Sequence, residues 1–151
     1  MSTSMTTEYY QFGPHKIDPK QVFYSTNLSY ATVNLRPVLL GHILFCQNAD
    51  ETSDLWLTAK KVGRQLESFY MATSLTFTIQ DGPRAGQSVP HVHVHIIPRK
   101  DGDFEKNDEI YDAIDESEKE LKRKLDLDEE RRDRSMEEMA QEADGYRLLF
   151  S

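Results

Sequence analysis

What the chain has little of narrows its class before any motif is considered. Its 151 residues include one cysteine, Cys46, so no internal disulfide can form, and we expect a reducing compartment, the cytoplasm and also the nucleus. No apolar run approaches the roughly 20 residues that a membrane-spanning helix needs. No basic residue precedes Lys16, which argues against a secretory signal or an Arg-rich transit segment. We therefore expect one globular domain without a membrane partner.

Basic charge is also scarce. The net charge is −8, with 26 acidic and 18 basic residues. The segment 103–144 contains 18 acidic and 8 basic residues, so it carries −10 and the rest of the chain carries +2. A general nucleic-acid binder needs a basic face, and this charge balance argues against one. The weakly basic remainder is compatible with a small anionic ligand.

The apolar pattern predicts an α+β fold. Steps of three and four across 54–71 indicate one amphipathic main helix, in which Gly63 costs about 1 kcal/mol relative to alanine unless packing requires it. Strict alternation in TSLTFTIQ indicates a half-buried strand that forms an antiparallel pair with the next one. We expect an antiparallel sheet of about five strands. The predicted strands are YYQF, HKI, QVFYS, LSYATVNL, HILFC, TSLTFTIQ and VPHVHVHIIP.

The chain divides into four segments by composition. Residues 1–8 are rich in Ser and Thr and are predicted to be flexible. Residues 9–112 form the predicted domain. Residues 113–134 form a charged helical segment, either solvated or mobile. Residues 135–151 form a C-terminal helix packed on the domain, begun by the capping-box pattern Ser135-x-x-Glu138.

Three of the five histidines lie in the string HVHVH, positions 91–95. Alternate side chains of a strand share one face, so His91, His93 and His95 are predicted to project together, spaced roughly 6.5 to 7 Å apart. Val92 and Val94 are then expected to point into the core. Three imidazoles in such register indicate a functional site rather than an ordinary surface strand.

Two chemistries compete for this row. Neutral imidazoles bind zinc, but a third histidine a further 7 Å or so along the strand reaches a shared ion poorly. Asp81 is the only carboxylate between residues 68 and 90. A metal-free site fits the row better, with the middle imidazole attacking phosphorus and its neighbours managing protons. The loop before the row offers phosphate donors at Gly86, Gln87 and Ser88.

Several strings resemble one known family. HVHVHIIP is similar to the His-φ-His-φ-His-φ-φ signature of the histidine triad superfamily, where φ is an apolar residue. The longer string SLTFTIQDGPRAGQSVPHVHVHIIPRKDGDF resembles its Fhit (fragile histidine triad) branch. So do FGPHKIDPKQVFY, SYATVNLRPVLLGHILFC and NDEIYD. The resemblance runs from about Phe12 to Asp112 and resumes in the last helix.

The resemblance implies a dimeric dinucleoside polyphosphate hydrolase. The family cleaves diadenosine triphosphate to AMP and ADP through a covalent nucleotidyl-histidine. It implies His93 as the nucleophile, His95 on the scissile phosphate and the leaving group, His91 as an orienting residue and His42 behind the row. Implied substrate contacts are His15, Asn34, Gln80, Gly86, Gln87, Ser88, Val89 and His95. Tyr111 matches a tyrosine of the branch that is tied to phosphorylation.

The resemblance also carries expectations about cofactors and alternatives. We expect no tightly bound cofactor and no metal on the histidines, with Mg or Mn assisting the polyphosphate. Adenylylsulfate or a nucleoside phosphoramidate could be the substrate of the same mechanism, and a nucleotide-sensing signalling protein with slow turnover is a further alternative. One departure is the connection from Cys46 to Asp54, which is roughly ten residues shorter than the family usually has.

Overall fold

The computed structural model describes residues 9–47, 52–127 and 134–151, and for residues 52, 53 and 121–127 it describes the backbone alone. The strands form a two-stranded hairpin, β1-β2, and a five-stranded sheet of order β3-β4-β5-β7-β6, antiparallel throughout. The predicted α+β fold is therefore confirmed. The strands are β1 Tyr10–Phe12, β2 His15–Ile17, β3 Val22–Ser25, β4 Ser29–Val33, β5 Ile43–Gln47, β6 Ser74–Ile79 and β7 His93–Arg99; the helices are α1 Thr52–Phe69, α2 Glu109–Leu127 and α3 Met136–Arg147.

One face of the sheet is covered by α1 and α3. Along β7, Val94 and Ile96 point to this face and are fully buried with the apolar side of both helices. Gly63 lies where α1 comes closest to the sheet, because a Cβ there would meet Phe77 at 3.1 Å and Ile96 at 3.3 Å. Close packing on β6 and β7 thus explains a glycine inside a helix, against its low propensity.

The opposite face carries the histidines. Along β7, His93, His95 and Ile97 alternate with the core residues and are all buried. The β1-β2 hairpin covers the first of them through Phe12, whose ring lies 5.0 Å from that of His93. Helix α2 covers the last through Ile110 and Ile114, which pack on Ile97. The middle of the strand is therefore enclosed between the hairpin and α2.

The predicted register of the histidine row is wrong at its first member. Strand β7 begins at His93, because the backbone of His91 turns back and its N–H donates to the carbonyl of Val89 at 2.8 Å. Val92 consequently does not enter the core and keeps 36% of its surface exposed. Only His93 and His95 share the strand face, with ring centroids 5.3 Å apart.

The predicted end of that strand is also wrong by one residue. Pro98 lies within β7 and pairs with Leu75 of β6. Proline cannot donate to a sheet ladder, yet it is accommodated here because the pairing of β7 with β5 already ends at Ile96. On the side of β7 that faces β5, no hydrogen bond is therefore lost at Pro98.

The charged segment 113–134 is not solvated throughout, because part of it is buried in α2. Helix α2 continues to Leu127, and its residues Ser117 and Glu118 are buried. The capping prediction is confirmed, since the Ser135 hydroxyl accepts from the Glu138 N–H at 3.1 Å and Ser135 is the N-cap of α3.

The predicted flexible residues 1–8, the short connection at 48–51 and residues 128–133 lie outside the described residues. Among the described residues, no helix has the length and apolar character needed to cross a membrane.

Candidate active site

The candidate site lies at the middle of β7, where a chain of contacts links three histidines to the backbone. His42, at the start of β5, is fully buried behind the strand. Its Nδ1 accepts from the backbone N–H of Val38 at 2.9 Å, and its Nε2 lies 2.9 Å from His95 Nδ1. A backbone N–H can only donate, so His42 Nδ1 carries no proton and the ring proton sits on Nε2. His42 therefore donates to His95.

This bond fixes the tautomer of His95. Because its Nδ1 accepts from His42, the neutral His95 ring carries its proton on Nε2, which points into the site. Burial lowers the pKa of His42 well below its usual range, an effect that the nearby His95 reinforces. Burial also lowers the pKa of His95. Both rings are thus neutral near pH 7, and His95 presents a hydrogen-bond donor rather than a lone pair.

The opposite tautomer is imposed on His93. Its Nδ1 lies 2.6 Å from the backbone carbonyl of His91, and a carbonyl can only accept. Nδ1 therefore carries a proton, and Nε2 is the atom that presents a lone pair when the ring is neutral. The two neighbouring rings consequently present unlike atoms to one space, a potential nucleophile from His93 and an N–H from His95.

His91 acts on this geometry through its backbone. Its own ring is held at the hairpin, where Nδ1 accepts from the Gly13 N–H at 2.9 Å, and burial lowers the pKa of the ring. The hairpin turn before β2 thus holds the segment whose carbonyl orients His93. His15 begins β2 and pairs in register with Phe12, beside the same turn. Its predicted substrate contact stays a prediction.

The loop before β7 supplies donors and a framework. Gly86 has a φ of +100°, a backbone conformation that favours glycine, and Gln80 Nε2 lies close to it, 2.5 Å from where a Cβ would be. Gln87 Oε1 accepts from the Gly82 N–H at 2.9 Å, so that side chain supports the loop. Ser88 offers both its N–H and its hydroxyl to the site. Val89 is buried in the apolar cluster under the hairpin.

Asn34 and Gln80, the two amide side chains predicted to contact the substrate, lie at different depths below the surface of the site. Asn34 is fully buried behind His42, with its Oδ1 accepting from the Arg36 N–H at 2.8 Å and its Nδ2 3.1 Å from His42 Nε2. Because the amide Nδ2 can only donate and His42 Nε2 carries the proton given to His95, this 3.1 Å approach is a packing contact and not a hydrogen bond. Gln80 lies at the site itself and is 9% exposed, and its Oε1 has no hydrogen-bond partner among the described residues. A buried acceptor of this kind is suited to a ligand donor.

One residue of the site was missed from the sequence. Glu118 of α2 is fully buried, and its Oε1 lies 2.5 Å from both His93 Nε2 and His95 Nε2. Burial alone would raise the pKa of its carboxyl group, but hydrogen bonds from His93 and His95 hold it well below its usual range. A signal was present in the sequence, since Glu118 follows Ile110 and Ile114 by eight and four residues, on the apolar face of the helix.

Two imidazoles and a carboxylate form a donor set that zinc accepts, and the ligand atoms of His93, His95 and Glu118 lie within 4.8 Å of one another. Donor atoms on a shared tetrahedral zinc stand roughly 3.3 Å apart, as bonds of about 2 Å require. The 2.5 Å separations are much shorter than that and correspond to direct, close contacts between the carboxylate and the two rings. As placed, the three side chains bind one another.

Comparison with known proteins gives this fold and site a class. The HIT domain family matches residues 16–102, which is more than half of the chain. The chain therefore belongs to the HIT domain family, and the predicted membership of the histidine triad superfamily is confirmed. The match includes His42 and the whole of β7, but not α2.

In sequence and structure, the chain is similar to individual Fhit proteins. It is 66% identical to the bifunctional bis(5'-adenosyl)-triphosphatase/adenylylsulfatase FHIT of Arabidopsis thaliana, over 97% of this chain and 87% of that protein. The crystal structure of the Plasmodium falciparum diadenosine triphosphate hydrolase in complex with cyclomarin A has a TM-score of 0.71 and 30% identity, over 98% of this chain and 88% of that one. The C. elegans NitFhit structure has a TM-score of 0.74 and 37% identity over 97% of this chain, which spans only 31% of that protein.

The buried neutral histidines make the free energy of unfolding depend on pH. An unfolded histidine takes up a proton below about pH 6.5, whereas folded His42, with its lowered pKa, does not. The unfolded chain then binds more protons, so stability falls as pH is lowered, by up to about 1.4 kcal/mol per pH unit for each such group. In urea titrations between pH 7.5 and 5.5, we expect a shallower fall for His42→Asn than for the wild type. An equally steep fall in both would contradict this account of His42.

Proposed function

We propose that this chain hydrolyses diadenosine triphosphate to AMP and ADP through a covalent nucleotidyl-histidine on His93. The observation that carries the proposal is the pair of unlike tautomers on β7. The carbonyl of His91 fixes the proton of His93 on Nδ1, and His42 fixes that of His95 on Nε2. The names of the Arabidopsis and Plasmodium relatives support this substrate.

In the first step, the lone pair of His93 Nε2 attacks the phosphorus of an adenylyl group. The N–P bond forms as the bond from phosphorus to the bridging oxygen breaks, and ADP leaves as its phosphate anion. His95 Nε2–H donates a hydrogen bond to the oxygen that gains charge. The His91 carbonyl stabilises the cationic ring of His93 through its Nδ1 proton.

In the second step, water attacks the same phosphorus. The N–P bond breaks and returns its electron pair to His93 Nε2, AMP leaves, and one proton of the water passes to solvent. Two displacements replace one difficult attack by water, which is the advantage of a covalent intermediate. Ser88, with its N–H and hydroxyl, provides donors for the nonbridging oxygens, and Gln80 Oε1 provides an acceptor for the nucleoside.

Adenylylsulfate is a second substrate that the same site supports. Its adenylyl group would give the same intermediate, with sulfate instead of ADP as the leaving group. The name of the Arabidopsis relative, which combines triphosphatase and adenylylsulfatase, favours this activity. The protein groups that contact the phosphorus are unchanged, so the two reactions should share their dependence on His93.

The proposal also covers the cofactor requirement and the cellular compartment. No tightly bound cofactor is needed for these steps, and Mg or Mn would assist by shielding the polyphosphate. A reducing compartment, the cytoplasm and also the nucleus, suits the free Cys46, whose pKa burial raises to about 12. The buried thiol is therefore inert at neutral pH.

We also propose a homodimer whose two sheets join through β6. This strand ends the sheet and pairs on one side with β7. Its apolar residues Leu75 and Phe77 are only partly buried, and Ile79 is 38% exposed. An edge strand with this composition is a template for pairing with another chain. A second copy of this chain is the simplest partner, because a twofold homodimer is the commonest closed oligomer.

His93→Ala should lower turnover of diadenosine triphosphate roughly a thousandfold or more, because no covalent intermediate can form. With substrate labelled in the adenylyl group, a rapid quench in alkaline denaturant should trap label on the wild-type protein and none on the variant. Adenylylsulfate should give the same adduct. The control is Lys60→Gln, on the exposed face of α1, which should behave as the wild type. Undiminished turnover by His93→Ala would overturn the proposed mechanism.

Light scattering should give the wild type a mass of twice the 17.5 kDa of one chain. Ile79→Asp places a charge at the edge of β6 and should shift the protein toward the monomer, because a charge there would be desolvated by pairing. Leu148→Asp is the control and should stay dimeric, because this 75% exposed residue follows α3, which packs on β3 at the opposite end of the sheet. A wild-type mass of 17.5 kDa would rule out the dimer.

A further inference from the structure

We infer that α2 is a built-in competitor of the substrate, and that the Glu118 carboxylate occupies the place of the reacting phosphate. The inference deepens the proposed function and rests on it. Substrate and the closed position of α2 then exclude each other, so the helix must leave the site for each catalytic cycle. The protein would be autoinhibited in the state that the structure describes.

The first support is that Glu118 takes up the donors that a phosphate would need. Its Oε1 accepts from His95 Nε2 and contacts His93 Nε2, at 2.5 Å each. Its Oε2 accepts from Ser88, from the hydroxyl at 2.5 Å and from the N–H at 3.3 Å. Carboxylate and phosphate oxygens are both charged acceptors that compete for the same donors. A phosphate that binds these groups must therefore displace the carboxylate.

The second support is the proton on the nucleophile. A carboxylate can only accept, and His93 Nδ1 already donates to the His91 carbonyl. A hydrogen bond from His93 Nε2 to ionised Glu118 thus requires a ring that carries both protons. Such a ring has no lone pair, so His93 cannot attack phosphorus while Glu118 is in place.

The third support is distance. A covalent N–P bond is shorter than the 2.5 Å contact between Glu118 Oε1 and His93 Nε2. Phosphorus and this oxygen cannot both stand at Nε2. The same geometry excludes Glu118, as placed, from acting as a base for the attacking water, because that water approaches phosphorus from the side opposite His93.

A second carboxylate of α2 acts in the same way at the predicted nucleoside contact. Asp115 Oδ1 accepts from Gln80 Nε2 at 2.6 Å and lies over Gly86, where a Cβ would be 3.0 Å away. Asp115 and Glu118 are three residues apart and therefore lie on one face of the helix. This acidic face covers both the reacting centre and the loop that precedes it.

The remaining contacts of α2 suggest how it could move. Its first turns are anchored by Ile110 and Ile114, which pack on Ile97. On either side of Glu118, the contacts described for Ser117 and Glu120 are polar. The Ser117 hydroxyl donates to the Arg36 carbonyl at 2.9 Å, and Arg36 pairs with Glu120 at 3.4 Å. Polar contacts of this kind exchange with water at small net cost.

The test removes the carboxylate and measures nucleotide binding directly. In Glu118→Ala, we expect the Kd for AMP by calorimetry to fall about tenfold, since the apparent Kd is the intrinsic Kd divided by the fraction of open protein, and the variant raises that fraction. The kcat/KM for diadenosine triphosphate should rise with it. Glu116→Ala, an exposed residue on the same helix, is the matched control and should leave both unchanged. All measurements are made with and without EDTA.

The outcomes separate the inference from the proposed function. Equal or weaker AMP binding by Glu118→Ala overturns the competitor while leaving the hydrolase intact. An effect that disappears with EDTA assigns His93, His95 and Glu118 to a metal ion and also overturns it. If wild type and variant neither bind AMP nor cleave the substrate, the proposed function fails and the inference fails with it.

Hydrogen exchange on the unmodified protein gives a second measurement that does not depend on a variant. Saturating AMP should speed the exchange of backbone amides in 112–120, because the helix leaves the site, while amides of β7 stay protected. Unchanged or slower exchange in α2 at saturation would contradict the inference.

Discussion

The hydrogen bond from the Val38 N–H to His42 Nδ1 sets the chemistry of the whole site. It joins a backbone donor, which cannot change its role, to a ring that burial keeps neutral. The proton of His42 is thereby placed on Nε2, and His95 must accept it and present its own N–H outward. A second backbone group, the carbonyl of His91, imposes the opposite tautomer on His93. Two peptide groups thus distinguish two chemically identical side chains.

The fold keeps the histidines apart from the hydrophobic core by placing them on opposite faces of the sheet. Strand alternation sends Val94 and Ile96 into the core with α1 and α3, and sends His93 and His95 to the other face. That face would be open to water without the hairpin and α2. Water would solvate the rings and weaken every directional bond between them, so the tautomers persist because the face is enclosed, by α2 in the closed state and by the substrate when α2 has left. The same enclosure places a carboxylate of α2 against the site.

Much of this could be predicted from the sequence, because local patterns determine it. Alternation in TSLTFTIQ gave β6, periodicity gave α1, and the capping box at Ser135 gave the start of α3. The string HVHVH indicated the site, and a family resemblance gave the class. The error at His91 arose because alternation assumes a strand, whereas the contact with Gly13 and the turn at Val89 depend on residues far apart along the chain.

Glu118 shows the limit of such reasoning more clearly. A charged residue within a charged segment is normally solvated. The spacing from Ile110 and Ile114 places Glu118 on the apolar face of α2, but only tertiary packing decides what that face covers. Its distance from the histidines is more than twenty residues, so no local spacing indicates the contact. Asn34 is similar, since its position behind His42 follows from the register of β4 and β5 rather than from its neighbours.

The central claim, that backbone groups fix the tautomers, can be measured directly. Long-range ¹H–¹⁵N correlation spectra of the histidine rings at pH 7 distinguish the two neutral tautomers and the charged form. The account predicts the Nε2–H tautomer for both His42 and His95. An Nδ1–H tautomer at either ring, or a charged His42 at this pH, would contradict it.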